Sequence, residues 1–95
     1  MAIEQAKLFT QKLLALSDQF RISARATTED YIGQLEAAAS EIEQNPDDDD
    51  EVADAVEEIK EESHEYAKAM VELADNYLTD IQFAYKEVYP DEAAE

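Results

Sequence analysis

The sequence predicts an all-α fold, a long antiparallel helical hairpin that dimerises into a four-helix bundle. Three observations carry that reading: two apolar series at spacings of three and four, one strong turn between them, and almost no material for other turns. One glycine and two prolines in 95 residues argue against all-β and α/β folds, whose connections consume both residue types. The chain reads as one helical-hairpin domain, residues 1–95.

A first helix is expected over about residues 2–44, where Phe9, Leu13, Leu16, Phe20, Ala24, Thr27, Tyr31, Leu35, Ala38 and Ile42 form a continuous seam. Within it, Thr27-Thr28-Glu29-Asp30 has the form of a capping sequence, a hydroxyl followed by acids, and Gly33 lies just beyond. The sequence therefore admits a kink or short break near Thr27–Thr28, which would turn two helices into three.

Gln44-Asn45-Pro46-Asp47 marks a turn over about residues 45–48, because the residue before proline is pushed out of the helical region and Asn tolerates a positive φ. The aspartates at 47–50 then face the positive end of a second helix dipole, over about residues 48–88. Its seam is Val52, Val56, Ile59, Ser63, Tyr66, Met70, Leu73, Tyr77, Ile81, Ala84 and Val88. An acidic tail, residues 90–95, is expected to fray.

Two nearly equal arms, each roughly 60 Å if helical, joined by a short loop make an antiparallel pair. With the turn centred near residue 46, facing residues sum to about 93, so Ile42 meets Val52, Leu35 meets Ile59, Thr27 meets Tyr66, Phe20 meets Leu73, Leu16 meets Tyr77 and Phe9 meets Ala84. The same rule puts Arg21 by Glu72, Arg25 near Lys68 and Glu65, and Lys7 by Lys86.

A single hairpin of this size supplies a thin core, since alanine makes up 16 of the hydrophobic residues. Near the turn the seam is alanine-rich and permits close packing. Toward the termini a second stripe opens, with Ala67, Val71, Ala74, Leu78 and Tyr85 on one helix and Leu8, Leu14 and Ile22 on the other. One partner helix cannot cover both stripes. Leu8, Leu14, Val71, Leu78, Phe83 and Tyr85 are therefore the candidate dimer or partner face. Tyr66 and Tyr77 fall on the seam, whereas Tyr85 and Tyr89 beside Phe83 are open to either a partner contact or core packing.

Seven basic against 25 acidic side chains give −18, divided as −3 over residues 1–45 and −15 over residues 46–95. Such a field repels nucleic acid and anionic membrane and attracts basic protein surfaces, so no direct contact with either is expected. The same balance would also suit a merely soluble or salt-adapted surface. Asp50, Asp54, Glu58, Glu61, Glu65 and Glu72 recur along one flank of the second helix, with Lys68 interrupting them, and form the candidate partner-binding row. One charge per roughly 3.4 Å of hairpin approximates the phosphate spacing of a single strand.

No glycine-rich phosphate loop, GxSxG elbow or Cys/His cluster is present, which removes the materials for nucleotide binding, acyl transfer and zinc fingers. Absence of cysteine and of any apolar leader or span fits a reducing, cytoplasmic setting. The one arrangement with metal-ligand spacing is Glu61-x-x-His64, with Glu29 and Asp30 brought opposite by the facing rule. It resembles the short two-helix ferritins that complete their metal site across a dimer, and the resemblance rests on these residues alone. It implies iron held by Glu29, Glu61 and His64. Glutamate is so frequent between Glu57 and Glu65 that a lone histidine would also find one three residues back by chance.

The leading reading is a non-catalytic, cofactor-free acidic module, homodimeric, that binds a basic surface on a nucleic-acid-binding protein as a DNA-mimic inhibitor. A metal-handling bundle is the alternative, and a third reading is a structural hairpin comparable in architecture to small needle and export proteins.

Overall fold

The computed structural model describes residues 2–90 and is all-helical there: α1 spans Ala2–Gln44 and α2 spans Asp49–Val88, and the two form a hairpin. Residues 91–95, most of the expected acidic tail, lie outside the described residues. No described helix is long and apolar enough to cross a membrane.

α1 passes through Thr27–Thr28 without a break. The capping sequence there does not start a helix, and its Thr28 hydroxyl is used sideways, sharing a hydrogen bond of 2.8 Å with the Tyr66 hydroxyl on α2. Gly33 is helical too, with open space where a side chain would be.

The turn also forms differently from expectation. No described residue has a positive φ, Asn45 included. Asn45 instead closes α1 by donating its N–H to the Glu41 carbonyl at 3.2 Å, and its own carbonyl accepts the Asp48 N–H at 3.2 Å. Asp48 then caps α2: its Oδ1 accepts the N–H groups of Asp50 and Glu51 at 3.1 and 3.2 Å, and its carbonyl accepts that of Val52 at 3.0 Å. Those are groups that a helix N-terminus leaves without partners of its own. Asp49, Asp50 and Glu51 follow in the first turn, where the helix dipole favours negative charge.

Two compact units divide the residues: a hinge unit, Ala24–Val71, and a terminal unit, Met1–Ser23 with Glu72–Glu95. In the hinge unit the most enclosed side chains are Ala38 and Ala55, 3% and 0% exposed, at facing positions of the two helices. Alanine at both positions leaves the backbones room to approach. Ala55 takes the place expected of Val56, which is 40% exposed. Helical rotation of about 100° per residue makes positions 55 and 56 straddle the contact line, and the smaller side chain is the one that fits it. In the terminal unit Ala84 and Val88 are each 5% exposed. No large side chain is fully buried among the described residues, so these seams are half-buried throughout.

The register within each unit follows the facing rule closely. In the hinge unit Tyr31 shares a hydrogen bond with Ser63 at 2.6 Å. In the terminal unit Ser17 shares one with Tyr77 at 2.7 Å, Phe20 lies 4.9 Å from the Tyr77 ring, and Gln5 Nε2 donates to the Val88 carbonyl at 3.2 Å. Charged pairs follow less closely. Arg21 bonds Asp18 at 2.6 Å and Arg25 bonds Glu29 at 3.0 Å, each within α1. Arg21 and Glu72 leave their helices on opposite flanks, so a carboxylate one turn away is nearer. The cross-helix pair in the terminal unit is Lys12–Glu87 at 2.8 Å, which the facing rule does not anticipate.

Candidate functional site

The hinge unit concentrates the charge. Residues 24–71 contain 16 acidic and three basic side chains, a net −13, whereas the described residues of the terminal unit hold six acids and four bases, a net −2. Asp50, Asp54, Glu58, Glu61 and Glu65 are all exposed and belong to the hinge unit; Glu72, also exposed, belongs to the terminal unit. The five recur at steps of four, four, three and four on the face of α2 turned away from its seam. Ion pairs among the described residues use Glu87, Asp18, Glu29 and Glu57, and none of these five carboxylates.

From Asp54 onward, past the first turn of α2, the row has no folding rationale. Like charges three and four residues apart cost a helix about 0.2–0.5 kcal/mol per pair. Asp54 with Glu58, Glu58 with Glu61 and Glu61 with Glu65 are three such pairs in succession. Between Asp49 and Glu65 there are nine carboxylates and one lysine. Net charge thus falls about every 3 Å of helix axis, against about 3.4 Å per charge along one DNA strand. A solvent-open concavity of about 720 Å³ at the turn, lined by Gln44–Pro46 and the aspartates at 47–50, adds to this anionic surface.

The metal set is placed differently. Glu29 is taken by Arg25, Glu61 and His64 are exposed, and Ser63 between them turns inward to Tyr31. Among the described residues no three His, Cys, Asp or Glu side chains stand together in a way that would hold a metal ion.

The six residues of the expected apolar face are all exposed: Leu8 47%, Leu14 66%, Val71 60%, Leu78 60%, Phe83 61% and Tyr85 38%. They do not share one face. Val71 belongs to the hinge unit. In the terminal unit the helical step puts Leu14, Leu78 and Tyr85 on one flank of the helix pair, joined by Ile3, 72% exposed. Leu8 and Phe83 fall on the other flank, with Ile22 and the Lys12–Glu87 ion pair. Two clefts of about 340 Å³ mark the contrast. One is lined by Phe9, Ile81, Gln82, Tyr85 and Lys86. The other is lined by Lys12, Leu16, Gln19, Asp80, Phe83, Ala84 and Glu87.

Tyr85 proves to be both packed and exposed. Its ring lies 6.1 Å from Phe9 and 5.6 Å from Tyr89, and Tyr89 is 5.9 Å from Phe9, an aromatic cluster with one side open. Ile3 and Ile32 are exposed apolar residues that the apolar periodicity did not single out. Their offset from the seam by more than a quarter turn was the available signal.

Compared with protein-family models, with curated proteins and with solved structures, the chain matches none.

Proposed function

We propose that this chain is a non-catalytic binding module whose acidic hinge unit engages a basic surface on a nucleic-acid-binding protein, occupying it in place of the nucleic acid. The observation that supports this reading most is the row Asp50, Asp54, Glu58, Glu61 and Glu65, exposed, without ion-pair partners, and costly to the helix that carries it. Side chains that weaken their own helix and point to solvent are explained by what they meet outside it. A rigid helix also holds them in fixed order, which random surface acidity does not. On this reading the working form is a homodimer, two hairpins making a four-helix bundle through the terminal units, and the location is the cytoplasm, where nucleic-acid-binding proteins are accessible.

The test compares the parent with a variant in which Asp54→Asn, Glu58→Gln, Glu61→Gln and Glu65→Gln are combined. Both are immobilised and exposed to a lysate at low and high salt, with and without duplex DNA as competitor, and each retained protein is then titrated singly. Proteins that mimicry retains are nucleic-acid binders, lost on adding DNA and lost from the variant, with an affinity that falls as salt rises. A variant that binds them as tightly as the parent would mean that the charge is solubilising or salt-adaptive.

A further inference from the structure

Tyr31 and Tyr66 meet across the two helices of the hinge unit with ring centroids 4.3 Å apart and planes within 6° of parallel. The other aromatic pairs among the described residues meet tilted or edge-on, with planes 35° to 87° apart. Radical coupling of two phenols needs the stacked approach, because the new bond forms between p orbitals that stand perpendicular to the ring planes. Each hydroxyl is also held from the opposite helix, Tyr31 by Ser63 and Tyr66 by Thr28, so the rings stay face to face. Holding two reacting groups in this way turns a chance encounter into a step within one molecule.

We infer that Tyr31 and Tyr66 are a cross-linking site, at which a cationic one-electron oxidant, such as an oxidised metal complex, joins α1 to α2 through a carbon–carbon bond between the two phenol rings. An oxidant has a way in. Both rings are half-buried and line a cleft of about 180 Å³, open to solvent, that also carries Asp30, Glu62 and Glu65. Ion pairs among the described residues use none of these three carboxylates. Their field draws a cation, repels an anionic oxidant, and eases removal of an electron from the rings beside them.

The step balances simply. Each phenol gives one electron to one equivalent of the oxidant and its hydroxyl proton to water. A bond then forms between the carbons ortho to the two oxygens, and the hydrogens on those carbons move to the oxygens, restoring both aromatic rings. The product is two hydrogens lighter than the parent, and it bridges the helices of a chain that has no cysteine to do so. Closing the chain between Tyr31 and Tyr66 also removes conformations from the unfolded state, so the coupled protein should resist urea better than the parent. Coupling does not depend on what the acidic row binds.

The test adds two equivalents of preformed tris-bipyridyl ruthenium(III), a cation, to the parent at micromolar concentration. Trypsin separates the two tyrosines into segments 26–60 and 61–68, and mass spectrometry should find these joined in a single chain two hydrogens lighter. Tyr31→Phe and Tyr66→Phe should each abolish that product, with helix content checked by circular dichroism. Tyr77→Phe, Tyr85→Phe and Tyr89→Phe combined leave the stacked pair untouched and should retain it. Dissolving the parent in urea before oxidation should lose it, since the fold is what assembles the pair. Equal yield in urea and in buffer overturns the assignment. So does a parent in which segments 26–60 and 61–68 stay separate while Tyr85 or Tyr89 couples.

Discussion

Tyr31 on α1 and Tyr66 on α2 stack with ring centroids 4.3 Å apart and planes within 6° of parallel. Each phenol also bonds a hydroxyl on the opposite helix, Tyr31 with Ser63 at 2.6 Å and Tyr66 with Thr28 at 2.8 Å. The four residues form a reciprocal clasp, since Thr28 precedes Tyr31 by three positions and Ser63 precedes Tyr66 by three. A slide of one helix by a single residue would break both bonds and the stack together. The clasp is therefore what holds the register of the hinge unit, in a seam too thin for apolar burial to do so alone.

Tyr31→Phe and Ser63→Ala should each lower stability by about 1 kcal/mol, the net worth of one such hydrogen bond. The double variant should lose little more than either single one, a coupling of about 0.5–1 kcal/mol read from urea unfolding midpoints. Additive losses would mean that the two hydroxyls do not depend on each other.

The cap at Asp48 predicts a sharp contrast within one run of identical residues. Asp48→Ala should cost about 1 kcal/mol of unfolding free energy, because two N–H groups at the start of α2 lose their acceptor. Asp47→Ala should shift stability by less than about 0.5 kcal/mol, as expected for a surface position outside the cap. Thermal unfolding of the two variants side by side decides it.

Gly33 lies inside α1 with nothing within 4 Å of where a Cβ would stand, and it has no positive φ. Gly33→Ala should therefore raise stability by roughly 0.5–1 kcal/mol through lower backbone entropy of the unfolded chain. A loss on substitution would indicate that α1 bends or opens there in solution.

The hinge unit, at −13, repels itself in dilute buffer. Raising salt from about 0.01 M to 1 M shortens the screening length from about 30 Å to 3 Å, so the melting temperature should climb over that range. The variant neutralised at Asp54, Glu58, Glu61 and Glu65 should melt higher than the parent at low salt and gain less from added salt. Equal salt responses would show that this row is not where the repulsion is stored.

The helical pairing was legible because period is a local property. Every apolar position expected on α1, from Phe9 to Ile42, is at least half-enclosed, and on α2 the exception is Val56. The exception has a cause that no single-helix pattern contains: Ala38 on the opposite helix admits only Ala55 at closest approach. The clasp was hidden for a similar reason. A facing sum of 93 sets Tyr31 against Glu62, and a sum of 94 brings it to Ser63, a difference finer than loop length can resolve.

By itself the sequence determined that the chain is helical, that it reverses at Pro46, and that its charge gathers around that reversal, because spacing, proline and composition act residue by residue. Tertiary structure alone decided which flank of one helix lies beside which flank of the other, and hence that Leu14 and Phe83, named from the sequence in one candidate face, stand on opposite flanks. It likewise decided that Arg21 turns to Asp18 and not to Glu72. The physical reason is rotation: a helix advances by about 100° per residue, so the neighbours of a side chain depend on how the partner helix is turned, and that angle is set by the pairing.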